Sequence, residues 1–364
     1  MIGRTTSRMA CPERLRQTPA ALGYTFPAEW EAHAATWFSW PRPEGVSFPG
    51  AYHKIPANLA AIIRRITPRE RVNINVPNDN WEYVVRAQLR QHGCRLRNIR
   101  FHYINTNENW CRDHGPAFVV KSTGRRRNLA VVDWDFNAYG GTYFPWAEDD
   151  VVPSRIAYEL DLPVFCPGIV MEGGSVDFNG LGTILTTESC LLSPNRNPTL
   201  SKTRIEQYLK VFYGQKHVCW LGEGIAGDDT DGHVDDLARF LNPRTIAIAV
   251  EPDPRDVNYA ALQDNLRRLQ FFRDLDGRPF NIVQLPMPGV VEYAGYRLPA
   301  TYVNFYFVNG AVLVPTYRHR RKDAKAMEIL RKHLPGREII GIDCTDLIWG
   351  LGAIHCLTQQ QPAI

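Results

Sequence analysis

The stretch TYVNFYFVNGAVLV, residues 301–314, decides the fold class. Two runs of β-branched and aromatic residues flank Asn309-Gly310, a dipeptide typical of the two-residue turn of a β-hairpin. Similar short apolar runs, each bounded by glycine, proline or asparagine, predict further strands at 71–76, 117–120, 129–133, 182–187, 245–250, 281–285 and 338–342.

Helical periodicity fills the gaps between these strands, at about 54–66, 80–92, 201–213, 257–271 and 322–333. Strand pairs that alternate with helices predict an α/β or α+β fold with antiparallel pairs rather than a plain βαβ series. Neither a GxGxxG nor a Walker sequence occurs, so no nucleotide site is predicted. The simplest organisation is a flexible leader, 1–20, followed by one domain, 21–364.

Composition narrows the class of protein. The chain has 364 residues, 44% of them hydrophobic, which suffices for a large core. A net charge of +4 does not indicate a nucleic-acid partner, and no apolar run approaches the ~18 residues of a membrane span. Eight cysteines without a CxxC pair predict a reducing, cytoplasmic location. The arginine-bearing, acid-poor start leaves an organelle transit peptide open as an alternative.

Two stretches place an acid before a turn. In ENWCRDHGPAF, residues 108–118, Asp113 and His114 precede a Gly-Pro turn that leads into a strand. In VMEGGSVDFNGLGT, residues 170–183, Glu172 precedes two glycines that allow a close approach of the backbone to another group. Taken singly, each acid is equally well explained as a turn residue.

A third stretch, GDDTDGHVDDLARF at 227–240, is unusually acidic, with five aspartates between positions 228 and 236. It departs from the EF-hand calcium pattern at His233, so an EF-hand is excluded. On an extended strand His233 and Asp235 would point the same way, which pairs a base with a carboxylate. A divalent-metal site built on these acids is the competing interpretation.

The fourth stretch, GAIHCLTQQQP at 352–362, contains Cys356 in an apolar run that predicts a final strand. A lone cysteine on such a strand is most often a core residue. With a histidine and several acids elsewhere in an intracellular chain, it also becomes a candidate nucleophile. Because neighbouring residues on a strand face opposite sides, we expect His233 rather than His355 to work with the thiol.

A thiol, a histidine and several acids make chemical sense together only with a cationic substrate. Nearby acids raise the pKa of a thiol and weaken it as a nucleophile, unless a bound cation offsets their charge. A guanidinium group fits, because it is planar, permanently charged and able to pair bidentately with carboxylates. Attack of the sulfur on its central carbon, with the histidine protonating the departing ammonia, is covalent deimination.

Seven motifs, in order from about residue 24 to 362, resemble the agmatine deiminase and bacterial peptidylarginine deiminase family: WCRDHGP, DWDFNAYGG, MEGGSVDFNGLGT, LLSPNRNP, GDDTDGHVDD, YVNFYFVNG and GAIHCLTQQQP. The resemblance implies an α/β fold, the pentein (α/β propeller), with five ββαβ-type units in a pseudo-fivefold arrangement around a central active-site channel. It implies no metal and no organic cofactor. The implied partner is a small cationic guanidino substrate, without nucleic acid or membrane, and a homodimer is left open.

The resemblance also assigns roles. Cys356 matches the nucleophile that forms an amidino-cysteine intermediate, and His233 matches the general acid and base. Glu172 matches the acid that orients this histidine. Asp113 and Asp235 match the pair of carboxylates that holds the guanidinium.

Three further residues match positions that line the channel. Trp110 matches an aromatic residue that packs on the stem of the substrate, and Asp229 matches an acid near its far end. Asn304 matches a polar residue of the channel wall.

Departures from the family pattern bear on the substrate. The chain reads GLGAIHC and FNAYGG where agmatine deiminases usually read GGGNIHC and FNAWGG, so Leu351, Ala353 and Tyr139 are unusual. The family resemblance makes hydrolysis of agmatine to N-carbamoylputrescine and ammonia, a step of polyamine (putrescine) synthesis, the first hypothesis, and the departures keep other guanidines open. The alternatives are deimination of free arginine, peptidyl-arginine or another guanidine, a non-catalytic guanidine-binding protein, and a metal-dependent hydrolase.

Overall fold

The computed structural model describes residues 17–124 and 126–364, so most of the predicted leader, 1–20, lies outside the described residues. The strands are β1 (His33–Ser39), β2 (Arg71–Val76), β3 (Ile99–Tyr103), β4 (Ala117–Thr123), β5 (Arg126–Val132), β6 (Val164–Phe165), β7 (Val176–Phe178), β8 (Thr183–Thr187), β9 (His217–Leu221), β10 (Ala238–Asn242), β11 (Thr245–Val250), β12 (Asn281–Pro286), β13 (Glu292–Tyr293), β14 (Tyr296–Arg297), β15 (Tyr306–Val308), β16 (Ala311–Thr316), β17 (Glu338–Asp343) and β18 (Gln359–Pro362).

Helices of very different lengths connect these strands. The α-helices are α1 (Ile55–Ile66), α2 (Asp79–Gln91), α3 (Cys111–His114), α4 (Ala138–Gly141), α5 (Val152–Glu159), α6 (Glu188–Leu191), α7 (Lys202–Tyr213), α8 (Tyr259–Phe271), α9 (Arg320–His333) and α10 (Ile354–Leu357). The 3₁₀ helices are η1 (Ala20–Leu22), η2 (Tyr52–Lys54), η3 (Leu96–Asn98), η4 (Gly173–Ser175), η5 (Val234–Asp236) and η6 (Leu347–Gly350).

The same ββαβ unit occurs five times. In each unit the first two strands are antiparallel, and a helix then leads to a third strand that lies parallel to the second. Unit A contains β18, β1, α1 and β2; unit B contains β4, β5, α5 and β6; unit C contains β7, β8, α7 and β9; unit D contains β10, β11, α8 and β12; unit E contains β15, β16, α9 and β17. The predicted pentein fold is therefore confirmed.

Unit A is built from two distant parts of the chain. Strand β18 runs antiparallel to β1, with His33 opposite Pro362 and Trp37 opposite Gln359, and β3 extends the sheet beyond β2. First strands of neighbouring units touch each other, since β18 contacts β4 and β7 contacts β10. The first strands thus lie towards the centre, and the pairing of β18 with β1 closes the ring.

The long helices pack against the sheets through one apolar face. In α1, residues Ile55, Leu59, Ile62 and Ile66 are buried while Arg64 is exposed, the spacing expected of a helix with one face in the core. No helix in the part of the chain that the structure describes combines the length and apolar character needed to cross a bilayer.

Two segments predicted as strands are not strands. The hairpin turns at Asn309-Gly310 as predicted, but its first strand begins only at Tyr306, because the peptide N–H groups of Thr301 and Val303 donate to side chains. The run around Cys356 forms the helical turn α10, and only the following residues pair in β18. Similarly, His233 and Asp235 lie at a 3₁₀ turn, η5, rather than on an extended strand.

Candidate active site

Each unit contributes the short segment that precedes its first strand. These segments are α3 before β4, η4 before β7, η5 before β10, the loop before β15, and α10 before β18. They touch one another around the centre of the ring, since α3 contacts both α10 and η4, and η4 contacts η5. The pentein fold therefore brings five short segments, far apart in sequence, to one place.

All eight residues predicted from the sequence lie in these segments or next to them: Trp110, Asp113, Glu172, Asp229, His233, Asp235, Asn304 and Cys356. A cavity of about 320 Å³ opens above them, and Trp110, Asp113, Asp229 and Cys356 line it. Glu172 and His233 are buried behind this lining. The structure thus brings the predicted residues together, in two layers.

Cys356 lies at the floor of the cavity among polar groups. The Asn304 side-chain amide donates to its sulfur at 3.1 Å, and the sulfur lies 3.7 Å from Asp235 Oδ2. Burial and the charges of Asp235 and Asp236 raise the pKa of the Cys356 thiol well above its usual value. The empty site therefore holds a protonated thiol.

His233 faces the two carboxylates of the predicted clamp. Its Nδ1 lies 3.6 Å from Asp113 Oδ1 and 4.0 Å from Asp235 Oδ1. Burial lowers the pKa of His233, while Glu172 and Asp235 act in the opposite direction. The imidazole is thus placed to exchange a proton with a group bound between the two aspartates.

Glu172 is held by an arginine that the sequence prediction did not assign. Both of its carboxylate oxygens accept from Arg196 Nε, at 2.8 and 2.9 Å, and the Arg196 fork also donates to the Thr230 carbonyl oxygen and to Asp231. Glu172 and His233 present ligand atoms within 4.8 Å of each other. Arg196 therefore fixes the acid beside the histidine, and its place in the LLSPNRNP motif is the signal that could have indicated this.

The two aspartates of the clamp have opposite environments. Asp113 accepts from the Gly174 N–H and from the Tyr139 hydroxyl, both at 2.9 Å, yet burial and the charge of Asp235 raise its pKa well above the usual value. In Asp235, although burial acts against ionisation, the hydrogen bond to His355 at 2.7 Å lowers the pKa. Asp235 Oδ1 has no hydrogen-bond partner among the described residues.

Gly174 explains why the sequence places glycines after Glu172. A Cβ atom at position 174 would lie 2.6 Å from His233 Nδ1 and 2.8 Å from Asp113 Oδ1. The predicted close approach of the backbone is therefore observed, and the groups it approaches are those of the site. A side chain here would occupy the space between the imidazole and the clamp.

Aromatic residues form the wall of the cavity. Trp110 donates from its indole Nε1 to Ser47 Oγ at 2.9 Å, which fixes its ring. Two tyrosines also line the cavity. Tyr139 has a left-handed backbone, at φ 59°, and its hydroxyl donates to Asp113, while the Tyr143 hydroxyl donates to Asp229. The sequence prediction assigned neither tyrosine a role, although FNAYGG was recognised as a departure from the family pattern.

Among the described residues, two groups of three side chains have ligand atoms close enough together to hold a metal ion: Glu172, Cys190 and His233, and Asp235, Asp236 and Cys356. In the first group Arg196 already occupies both carboxylate oxygens of Glu172, so a second cation would be repelled. If the acidic stretch binds a metal ion, the ligands must therefore come from the second group, Asp235, Asp236 and Cys356.

A ring of five ββαβ units that brings a thiol, an imidazole and buried carboxylates to its centre defines the guanidine-modifying class of penteins. Within this class, residues 25–362 match the family of Porphyromonas-type peptidyl-arginine deiminases, and the chain belongs to that family. It is 36% identical to an agmatine deiminase of Medicago truncatula over 96% of this chain and 99% of that protein.

Solved structures agree with this assignment. An agmatine deiminase of Enterococcus faecalis superposes with a TM-score of 0.88 and 33% identity, covering 96% of this chain and 99% of that one. A C. jejuni agmatine deiminase with substrate bound superposes with a TM-score of 0.83 and 31% identity, covering 93% and 96% of the two chains. The predicted family resemblance is confirmed over nearly the whole chain.

Proposed function

We propose that this protein is an agmatine deiminase that hydrolyses agmatine to N-carbamoylputrescine and ammonia. The observation that carries the proposal is the unpartnered oxygen of buried Asp235, which lies beside Cys356 and His233 behind the wall of a cavity that Asp113, Asp229 and Cys356 line. The names of the full-length relatives support the same reaction.

The cavity offers one group to each part of agmatine. Asp113 and Asp235 accept N–H bonds from the guanidinium, which suits planar bidentate pairing. Trp110 packs along the methylene chain, and Asp229, which shares the cavity lining, pairs with the ammonium at the far end. The bound cation lowers the pKa of the Cys356 thiol by offsetting the acids that raise it.

The first half-reaction is attack of the Cys356 sulfur on the guanidinium carbon. The thiol proton passes to His233 as the C–S bond forms, His233 gives that proton to the departing nitrogen, the C–N bond breaks and ammonia leaves, so a cationic amidino-cysteine remains. In the second half His233 takes a proton from water and the water oxygen bonds to the same carbon. The C–S bond then breaks, His233 returns its proton to the sulfur, and the remaining hydroxyl proton leaves with the ammonia as ammonium. Glu172, held by Arg196, keeps the histidine oriented for both transfers.

Free arginine is the second candidate substrate, because Arg297 also lines the cavity and could meet a carboxylate. The Arg297 guanidinium is, however, paired with Asp256 at 3.0 Å, while Asp229 would repel a carboxylate near the far end. The balance of charges therefore favours a substrate with a positive far end. Peptidyl-arginine and other guanidines follow after these two.

The test is ammonia release from agmatine, arginine, a methylated arginine and an arginyl peptide. We expect agmatine to give the highest kcat/KM, Cys356→Ser to abolish turnover, and Cys94→Ser, a buried thiol outside the site, to retain it. The rate should be bell-shaped with pH, since His233 and Cys356 must exchange protons. Ammonia release from none of the four compounds, or an active Cys356→Ser variant, would overturn the proposal.

Two controls separate the remaining alternatives. The deiminase mechanism predicts that a chelator leaves the rate unchanged, whereas loss of activity that a divalent cation restores would favour a metal-dependent hydrolase. Tight binding of agmatine in calorimetry without any turnover would favour a non-catalytic binding protein.

A cytoplasmic location and a homodimer belong to the same proposal. The six buried cysteines in the described part of the chain form no disulfide bond, as expected in a reducing compartment. Cell fractionation and sedimentation of the purified protein test these two points directly.

A further inference from the structure

A buried group of charged side chains lies directly behind the clamp. Glu29 precedes β1, and the other members come from segments in or next to the first strands of several units. We call the group the inner ion cluster: Glu29, Arg112, Asp177, Asp235, Arg239 and His355. Only Asp235 among them also belongs to the site described above. What the cluster does to Asp235 therefore bears on the reaction.

Glu29 is the centre of the cluster. Its Oε2 accepts from His355 Nε2 at 2.7 Å, from Arg239 Nη2 at 2.8 Å and from Arg112 Nη2 at 3.3 Å, and its Oε1 accepts from the Phe307 N–H at 2.9 Å. Although burial acts against ionisation, Arg239, His355 and Arg112 hold the pKa of Glu29 well below its usual value. Glu29 is thus an ionised acceptor.

His355 bridges two carboxylates through its two ring nitrogens. Nε2 lies 2.7 Å from Glu29 Oε2, and Nδ1 lies 2.7 Å from Asp235 Oδ2. A neutral imidazole has a single N–H and cannot donate to both, whereas an ionised carboxylate can only accept. Two ionised partners therefore require a doubly protonated ring.

The charges of the cluster lead to the same answer. Glu29, Asp177 and Asp235 supply three negative charges, and the two arginines supply two positive ones. A neutral His355 would leave one uncompensated charge in a fully buried place, which is costly, whereas a charged His355 balances the cluster.

The other titratable groups facing His355 do not change this count. The Tyr306 ring centroid lies 6.4 Å away, and Cys356 is the next residue along the chain. Burial raises the pKa of both groups, so both are neutral in the empty protein.

We propose that His355 is a positively charged positioning residue that keeps Asp235 ionised and turned towards the substrate. The inference rests on the proposed deiminase function, but assigns His355 no proton transfer. With Oδ2 bound to His355, only Oδ1 of Asp235 is free for the guanidinium. Without bound substrate, Asp113 is then the clamp acid that becomes protonated more readily, and Asp235 stays ionised.

Three variants test the charge count: His355→Gln, Glu29→Gln, and both together. His355→Gln leaves three acids against two arginines, so Asp235 takes up a proton more readily. The acid limb of kcat/KM for the active guanidine should then move to higher pH by about one unit or more. The double variant restores the balance at two against two, and its acid limb should return towards that of the wild type.

A merely structural role makes different predictions. It would lower kcat/KM evenly across the pH range, and the losses of the two single variants would add in the double variant. Either result would overturn the proposal.

Nitrogen-15 NMR of the histidine rings in the substrate-free protein tests the charge without turnover. The signal that His355→Gln removes should show two protonated nitrogens near neutral pH, and one protonated with one bare nitrogen would contradict the proposal. If His355→Gln fails to fold, the Glu29→Gln variant provides the same test. It leaves two acids against two arginines, so the His355 ring should become neutral and its spectrum should show one bare nitrogen. The charge of His355 in the substrate-free protein does not depend on which compound is the substrate. A neutral His355 would therefore contradict this proposal without contradicting the proposed function.

Discussion

Asp236 lies next to the clamp, and its surroundings disfavour its ionised form. Burial and the charges of Asp235 and Asp228 raise its pKa well above the usual value, although the Asn304 amide donates to Oδ1 at 3.0 Å. A raised pKa in the folded state means that this acid stabilises the fold below its unfolded pKa of about 3.9. That contribution is lost as the pH rises through the folded pKa.

Replacing Asp236 by asparagine should therefore stabilise the empty protein. The new side-chain amide would keep an acceptor for Asn304 but could not ionise, so the gain in Tm should grow as the pH rises above about 4, the unfolded pKa of the acid, towards its raised folded pKa. Thermal melts at several pH values measure it. Asp253→Asn is the control, because hydrogen bonds from Arg255 lower the pKa of this partly exposed acid instead of raising it, so no gain that grows with pH is expected. A gain in Tm for Asp236→Asn that does not vary with pH would contradict the prediction.

Tyr139 is a second residue whose effect can be isolated. Its hydroxyl donates to Asp113 Oδ2 at 2.9 Å and its ring packs edge-on against His233. Tyr139→Phe keeps the ring and removes a hydrogen bond to a group that carries charge with substrate bound. We expect kcat/KM for agmatine to fall about tenfold or more, most strongly at low pH, where Asp113 then protonates more readily.

Steady-state kinetics of Tyr139→Phe across pH measure this effect. Tyr158→Phe, whose side chain is exposed, should behave as the wild type. An unchanged kcat/KM in Tyr139→Phe would show that the hydroxyl does not support the clamp.

At the scale of elements, β18 explains the three consecutive glutamines. Gln359 donates to the Pro116 carbonyl oxygen at 2.9 Å, Gln360 accepts from Arg112 Nη1 at 2.8 Å, and Gln361 accepts from the Trp37 indole at 3.0 Å. Each amide thus satisfies a different polar group. The strand fixes the position of the preceding turn, α10, which carries Cys356.

The last two glutamines of this run should not cost the same when replaced by an apolar residue. Gln360→Met leaves a guanidinium N–H of buried Arg112 unpaired, and should lower the free energy of unfolding by about 1–3 kcal/mol. Gln361→Met, at a half-buried position, should cost less, about 1 kcal/mol or below. Denaturant unfolding of both variants measures the difference, and equal losses would contradict the assigned roles.

Element boundaries show what periodicity can and cannot predict. Helices α1, α7, α8 and α9 begin and end within two residues of their predicted positions, because each buries one regular face. The run around Cys356 was predicted as a strand, and this was wrong, because it forms the turn α10. This turn is buried at the centre of the ring, so its apolar residues carry no strand period.

The candidate site shows the same division. The eight residues predicted from the motifs lie in or near the segments that precede the first strands of the units, and their roles remain predictions. The partners Arg196, Tyr139 and His355 depend on contacts between residues 24 to 326 positions apart in sequence, which no local pattern encodes.

At the scale of the whole molecule, closure of the ring depends on one pair of strands. Strand β18 supplies the first strand of unit A, contacts β4 of unit B and satisfies Trp37 and Arg112. Deleting residues 359–364 would leave β1 as an open edge and remove these partners. We expect a large fall in Tm and association of the exposed edges.

Size-exclusion chromatography and thermal melts of the shortened chain measure both effects. Removal of exposed Ile364 alone is the control and should leave the protein unchanged. A monomeric, active protein without residues 359–364 would show that the ring holds together without its closing strand.

The paired ends of the ring have a consequence for connectivity. Because His33 lies opposite Pro362, the two ends of unit A lie side by side, and a linker could join the end of β18 to the segment that precedes Glu29 and β1. The backbone could be cut at an exposed turn such as Asp274–Gly277 instead. Such a circular permutant would keep every unit and every contact between units, while Cys356 would move from the last residues of the chain to its interior. The site around Cys356 thus depends on how the five units pack in the ring and not on the order in which the chain connects them.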